Sequence, residues 1–410
     1  MPAVPPPSSR VPDVLVVGGG VVGLTCAWYA ARTGAHVTVL DPSPGEGATR
    51  AAAGMLAPVG EAEPDDPAAT RLHLAGAACW PGFARELADA SGTDPGFEAV
   101  GSLLVAYDAG DRDDLRRALG SHRAAGLRSE GLTVAEARRL EPALGPVAGA
   151  ALAPDDHRAD PRATHRALAA ALAAAGVRRV RATATRLVLD GGRRVVGAVD
   201  DAGRPHRAGL TVLAAGLGSG PLSALDGGAG VPGVPVPVRG VVGQTVRLEA
   251  GPDLGLERTV RGRVQGRPVY VVPRAPRPDG TREVVVGATS EETADARRPR
   301  TGGTFALLRD ARALVPALDE TTLVDVTQRA RPTTPDGRPL VGPSGVPGLW
   351  LATGHGRNGV LLAPITGAAL AAELTGRTLG DADAALAAAA PARLAGSDRS
   401  PALDHDRRTA

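Results

Sequence analysis

Four consecutive apolar residues, Val14-Leu15-Val16-Val17, precede Gly18-Gly19-Gly20-Val21-Val22-Gly23. A stretch to Arg32 with the apolar spacing of a helix follows, and then His36-Val37-Thr38-Val39-Leu40-Asp41. The order is strand, glycine turn, helix, strand, acid. In the middle, 162–175 reads as an Ala-rich helix, and 180–189, 193–199 and 209–214 read as strands. Strand signals with β-branched residues recur at 236–248, 258–264, 268–273 and 283–288, with arginines and turn residues between, which predicts an antiparallel region. Leu349 to Thr353 reads as a short buried strand, followed by a glycine-rich turn at 354–359 and a helix from about Val360 to Leu374, stopped by Gly376. Beyond Gly380 the Ala/Asp/Arg-rich end reads as a solvated helix or tail.

Composition narrows the setting. At 410 residues the chain is long enough for a sizeable core, but with 2% aromatics that core is filled by Ala, Val and Leu. The net charge is +2, with acids and bases interspersed and no basic stripe, so nucleic acid is not an expected partner. No apolar stretch of membrane-spanning length is seen, and Met1 to Pro12 is Pro-rich rather than leader-like. Two cysteines, Cys26 and Cys79, make neither a disulfide framework nor a zinc site, and a reducing cytoplasm is expected. All 46 strongly basic residues are arginine, and the single asparagine is Asn358.

The first unit carries candidate chemistry. Gly18 allows a tight turn off the strand, Gly20 lets a pyrophosphate approach the backbone, and Gly23 lets helix pack on strand; the helix N-terminus presents unpaired N–H groups to the anion. Asp41, ending the second strand, is placed to accept hydrogen bonds from a ribose diol and disfavours a 2′-phosphorylated nucleotide by repulsion. NAD and FAD both remain at this point. Downstream, Ala48 to Pro58 is a run of small residues that suits close backbone approach to a flat ring, or starts a plain Ala helix.

Several blocks then occur in order: Val16 to Gly23, Ala51-Ala52-Ala53-Gly54-Met55-Leu56-Ala57-Pro58, Tyr270-Val271-Val272-Pro273-Arg274, Val286-Gly287-Ala288-Thr289, Arg331 to Gly337, and Thr353-Gly354-His355-Gly356-Arg357-Asn358-Gly359 running on to Pro364. Together they resemble the FAD-dependent glycine oxidases of thiamine biosynthesis, within the D-amino-acid oxidase and sarcosine oxidase superfamily. The likeness runs from about residue 13 to about 376.

The resemblance implies an α/β fold: a Rossmann-like FAD-binding domain of the glutathione-reductase type plus an antiparallel-sheet substrate domain. The expected boundaries are 12–92, 155–230 and 332–378 for the FAD domain, 93–154 and 231–331 for the substrate domain, with 1–11 and 380–410 as flexible tails. It places Val21 and Val22 at the FAD pyrophosphate, Asp41 and Pro42 at the adenosine ribose, and Thr185 at adenine. Ala48, Thr49, Ala53, Gly54 and Met55 follow along the ribityl chain and flavin, and His355, Gly356, Arg357, Asn358, Gly359, Val360 and Leu361 lie over the pyrimidine end. Independently, a glycine-rich strand-to-helix turn aims N–H groups and a positive dipole end at whatever sits there.

On the substrate side, the resemblance implies Arg331 as the carboxylate-binding arginine, with Tyr270 and a second arginine, Arg357, beside it; Arg329, on the same strand face as Arg331, competes for that role. An arginine holds a carboxylate through two parallel N–H bonds. The implied reaction is oxidative deamination of glycine, or of other small primary or secondary amines or D-amino acids. It proceeds by hydride transfer to non-covalent FAD, with no obligate side-chain base; the imino acid yields glyoxylate and ammonia, and dioxygen becomes hydrogen peroxide. The imine would supply the thiazole ring of thiamine, which links the chain to a thiazole synthase, and a homo-oligomer is expected. Position 356 is glycine where the family usually has an aromatic. The cysteines lie far from the late position used for covalent flavin attachment, and oxygen activation by lysine is excluded by the composition. His355 is then the nearest cationic candidate, or a histidine that only bonds backbone at a strand end. A sarcosine or D-amino-acid oxidase, a dehydrogenase, and a flavin-binding protein without turnover stand as alternatives.

Overall fold

A computed structural model describes residues 11, 13–191, 193–223, 236–293 and 295–394. Val14–Val17 lies parallel to Val37–Leu40 near the middle of a six-stranded sheet. Across the sheet the order is Leu340–Pro343, Leu349–Thr353, Leu210–Leu213, Val14–Val17, Val37–Leu40 and Arg178–Val180. Leu340–Pro343 alone of the six runs against its neighbour. Every residue of the first two strands is buried, which is why they read as unbroken apolar runs: both faces are covered. Val14, Val16, Val37, Val39 and Trp350 share a core with helices Val21–Arg32, Pro67–Ser91, Pro161–Ala174 and Gly359–Thr375. Leu15, Val17, Leu40 and Leu351 share another with a small antiparallel sheet of Ala184–Leu189, Val195–Asp200 and Pro205–Arg207.

The scarce aromatics are concentrated rather than spread. Trp28, Tyr29, Trp80, Phe83 and Phe97 pack ring against ring between the first helix and Pro67–Ser91. The Trp80 indole N–H donates to the Leu361 carbonyl at 3.1 Å, and Gly76 on the same helix lets the backbone at Leu361 approach closely. These contacts fix the start of Gly359–Thr375. With the turn before it, as Gly356–Thr375, it is the one helical span among the described residues long and apolar enough to cross a membrane; half of its apolar stretch is buried, with Gly367 pressed against the Tyr29 ring.

The second sheet has eight strands in the order Thr322–Thr333, Arg239–Ala250, Arg282–Gly287, Arg267–Pro273, Thr259–Val264, Ser102–Ala106, Gly149–Ala153 and Glu130–Leu132. All neighbours are antiparallel except Thr259–Val264 with Ser102–Ala106. Strand alternation gives this sheet two characters. Val246, Leu248, Val260, Val271, Val284 and Val286 form one core with Leu307, Ala311 and Leu314 of the helix Thr301–Leu314. The residues between them, Thr245, Arg247, Arg261, Tyr270, Val272, Val285, Arg329 and Arg331, line the face turned to the first sheet's domain.

The C-terminal end differs from the expected tail. Asp381–Leu386 is helical, Pro391–Leu394 forms a further turn, Ala389 is fully buried, and the Arg393 guanidinium holds the Asp336 carboxylate at 2.7 and 3.1 Å. Alanine packs without loss of side-chain entropy, so a segment that reads as low-complexity can still dock. The expected tails at 1–10 and 395–410 lie outside the described residues.

Candidate active site

The nucleotide end is built at the first glycine turn. Gly18 adopts φ +115°, and a Cβ there would run into the Ala214 carbonyl, so both the turn and the strand contact require glycine. A Cβ on Gly23 would strike the Gly18 carbonyl, whereas one on Gly20 would meet only the Thr49 hydroxyl, at 3.3 Å. The space over Gly20 is therefore open. Helices Pro67–Ser91, Ala109–Ala124, Val134–Leu140 and Pro161–Ala174 are capped by Asp66, Asp108, Thr133 and Asp160. Helices Val21–Arg32 and Gly359–Thr375 have no side-chain cap and no acid in the first turn. Apart from the Val21 N–H, which the Thr49 hydroxyl accepts, N–H groups at both starts suit anionic groups of a ligand.

Asp41 accepts hydrogen bonds from the Gly19 N–H at 2.6 Å and the Ser43 N–H at 2.7 Å. It lines a cavity of about 320 Å³ together with Gly18, Pro42 and Thr185. The strand bearing Thr185 thus comes to the same cleft as Asp41, although they are far apart in sequence. Thr49, on the short helix Ala48–Ala51, accepts from the Val21 N–H at 3.0 Å and so ties the small-residue run to the glycine turn.

The four carbonyls that follow are each held from another element. Arg162 donates to Arg50 O at 3.1 Å, Thr245 to Ala51 O at 3.0 Å, Arg247 to Ala52 O at 3.3 Å and Arg274 to Ala53 O at 2.6 Å. Thr245 and Arg247 belong to the second sheet and Arg274 directly follows its strand Arg267–Pro273, so Ala48 to Gly54 is clamped between the domains. Buried Arg247 is balanced by Glu283. Ala53, Val272 and Val285 form a small apolar cluster with Met55 and Tyr270, which makes the wall between the Ala-Gly-Met segment and the sheet.

At the far turn, His355 is buried and its Nε2 shares a hydrogen bond with the Thr366 hydroxyl at 3.1 Å. Burial pushes its pKa down to about 3, so the ring is neutral rather than a cation, and its Nε2 meets a side chain, Thr366. Gly356 adopts φ +56°, a left-handed conformation that glycine takes freely, and this accounts for glycine at that position. Gly359 lies against Val22, bringing the starts of Val21–Arg32 and Gly359–Thr375 together, with Val360 and Leu361 buried behind. The Asn358 side chain turns to His73, Nδ2 to Nε2 3.0 Å.

Two glycines shape the substrate side. Gly287 is the register partner of both Tyr270 and Thr245, and the Tyr270 ring lies over it. Gly243, two residues from Thr245, lies under the Arg331 guanidinium, which donates to Thr289 O at 3.2 Å. Among the described residues Arg331 has no carboxylate within ion-pair distance. Burial raises the Tyr270 hydroxyl pKa, against the pull of nearby Arg331. Arg329, the competing candidate, is turned away: it donates to Glu46 O at 2.7 Å. Arg357 also differs from expectation, since its guanidinium is paired with Glu61 at 3.1 Å and Glu63 at 3.0 Å. Two acids already match its charge, which removes it as a second free cation.

Gly243, Gly287, the clamping arginines and the Glu61 loop were not singled out from sequence. A glycine inside a β-branched run marks close approach, and that was the available signal for the first two.

The family model described as FAD dependent oxidoreductase, DAO, matches residues 13–373. The chain belongs to this FAD dependent oxidoreductase family. The glycine oxidase of Geobacillus kaustophilus (strain HTA426) is 34% identical over 359 residues, 87% of this chain and 90% of that protein. The bifunctional protein ThiO/ThiG of Nostoc sp. (strain PCC 7120) is 33% identical over 363 residues, 88% of this chain but 52% of that protein, so the chain spans about half its length. The crystal structure of the Geobacillus kaustophilus glycine oxidase matches with a TM-score of 0.81 at 31% identity, covering 94% of this chain and 99% of the other. The cofactor of this oxidoreductase is FAD, and the open ground over Gly20, the Asp41 cavity and the adjacent starts of Val21–Arg32 and Gly359–Thr375 fit it. Replacing Asp41 with alanine is expected to lower the flavin-to-protein ratio of the purified oxidoreductase. A variant purifying with full flavin counts against a ribose-binding role.

Proposed function

We propose that this FAD dependent oxidoreductase carries out oxidative deamination of glycine and other small amines bearing one carboxylate, with dioxygen as acceptor. The observation that carries the reading is Arg331: a guanidinium on the face toward the Ala53–Met55 segment, beside Tyr270, with no acid of its own. Such a group is complementary to a substrate carboxylate, and the similarity to glycine oxidases points to the same chemistry.

FAD, when bound, supplies the two-electron acceptor for the substrate C–H bond. The chain's own residues bind and orient. Arg331 and the Tyr270 hydroxyl would fix the carboxylate, and Met55, Val272 and Val285 limit the room beside the α-carbon. The helix start at Gly359 offers N–H groups to negative charge at the pyrimidine end, and neutral His355 braces that turn through Thr366. We further propose that the imine passes to thiazole formation in thiamine synthesis, with a thiazole synthase as partner, in line with the ThiO/ThiG relatives.

Anaerobic glycine should bleach the visible flavin spectrum, and aerobic turnover should yield hydrogen peroxide. Flavin that stays oxidised at high glycine ends this reading. Greater peroxide yield with sarcosine or D-alanine than with glycine would move the substrate within the same class.

A further inference from the structure

Glu61 stands beside the proposed substrate face and is unused by the reaction above. Its side chain is 9% exposed. One carboxylate oxygen accepts from Arg261 at 2.7 Å and the other lies 3.1 Å from Arg357 Nε. Burial alone would raise its pKa, but Arg261 and Arg357 overcome that and hold the carboxyl below its usual range, so Glu61 is charged. Its position is fixed from the chain immediately before it: buried Asp156 accepts from the Val59 N–H at 2.8 Å and the Gly60 N–H at 2.7 Å.

Arg261 belongs to the substrate face. It is the direct register partner of Tyr270 on the neighbouring strand, and cross-strand partners project on the same side with Cβ atoms about 5 Å apart. Along this face Arg247 is paired with Glu283, Arg329 with Glu46 and Arg261 with Glu61. Among the described residues Arg331 is left one negative charge short. A monocarboxylate supplies that charge, and a second carboxylate reaching toward Arg261 meets Glu61, a like charge already holding the cation.

We infer that Glu61 restricts the site to ligands with a single anionic group, and that neutralising it opens a second anion subsite at Arg261 for dicarboxylates, Arg357 remaining paired with Glu63. This rests on the substrate carboxylate binding at Arg331. Glu61→Gln keeps the shape and one acceptor oxygen while removing the charge, so the change is electrostatic.

The test uses the FAD-loaded enzyme with acetate and malonate, which differ by one carboxylate, titrated by flavin absorbance and in competition with glycine. In the parent enzyme malonate binds no more tightly than acetate. In Glu61→Gln, malonate should gain roughly tenfold or more over acetate, as a charged hydrogen bond would give. The gain should shrink with salt and vanish in the Glu61→Gln/Arg261→Gln double variant. An unchanged malonate-to-acetate ratio in Glu61→Gln overturns the inference. If that variant does not hold FAD, Arg261→Gln serves instead: it leaves Glu61 less compensated and should weaken malonate relative to acetate, and an unchanged ratio again overturns it. Acetate that binds without competing with glycine, or that survives Arg331→Ala, overturns the Arg331 placement instead.

Discussion

Replacing Arg331 with alanine is expected to raise the Michaelis constant for glycine roughly 10- to 150-fold, the loss of a charged hydrogen bond worth about 1.5 to 3 kcal/mol. Flavin content should change little, because the Arg331 guanidinium bonds to Thr289 O, just past the strand Arg282–Gly287, and among the described residues makes no hydrogen bond to the FAD domain. Arg329→Ala should behave in the opposite way. Its guanidinium bridges to the Glu46 carbonyl across the domain boundary, so stability and flavin retention suffer before the Michaelis constant does. Steady-state peroxide formation and the flavin-to-protein absorbance ratio, measured on both variants, separate the two arginines. An unchanged Michaelis constant in Arg331→Ala removes Arg331 from the site.

Gly243→Ala should weaken glycine binding by roughly tenfold or more without unfolding the protein. A methyl group at Gly243 occupies the volume of the Arg331 guanidinium, the far end of a flexible side chain that moves away easily. Alanine also improves on glycine in a strand interior by about 0.5 to 1 kcal/mol, so the thermal midpoint should hold or rise. Loss of substrate affinity without loss of stability is a signature that general strand damage does not produce. A Michaelis constant equal to the parent's, in a variant with full flavin, would show that Arg331 has no need of the space over Gly243.

How much was legible follows from how local each signal is. The strand, turn, helix, strand unit from Val14 to Asp41 is written in adjacent residues: apolar runs buried on both faces, and glycines forced by contacts with Ala214 and Gly18. The strand at 267–273 and the helix Gly359–Thr375 read equally well, being short, apolar and bounded by turn residues. Thr301–Leu314 did not, since Gly302 and Gly303 open it and its buried apolar stripe is only Leu307, Ala311 and Leu314, interrupted by buried Asp310. In an alanine-rich chain the contrast between buried and exposed helix faces is low, because alanine occupies both.

Arginine chemistry was the least legible. The sequence by itself determined that arginine is the only permanently charged cation available to a carboxylate, since there is no lysine, and the glycine turn with Asp41 pointed to a dinucleotide end. It also set the order in which the flavin-binding segments occur. Only the tertiary structure decided which guanidinium of the substrate face has no acid among the described residues, that His355 is buried and neutral, and that Arg357 is paired with Glu61 and Glu63. The physical reason is that an isolated arginine carries the same charge everywhere, while its availability depends on carboxylates and carbonyls that approach from distant parts of the chain. Two glycines, Gly243 and Gly287, then clear the space in which Arg331 and Tyr270 lie, and that role exists only once the strands are in register.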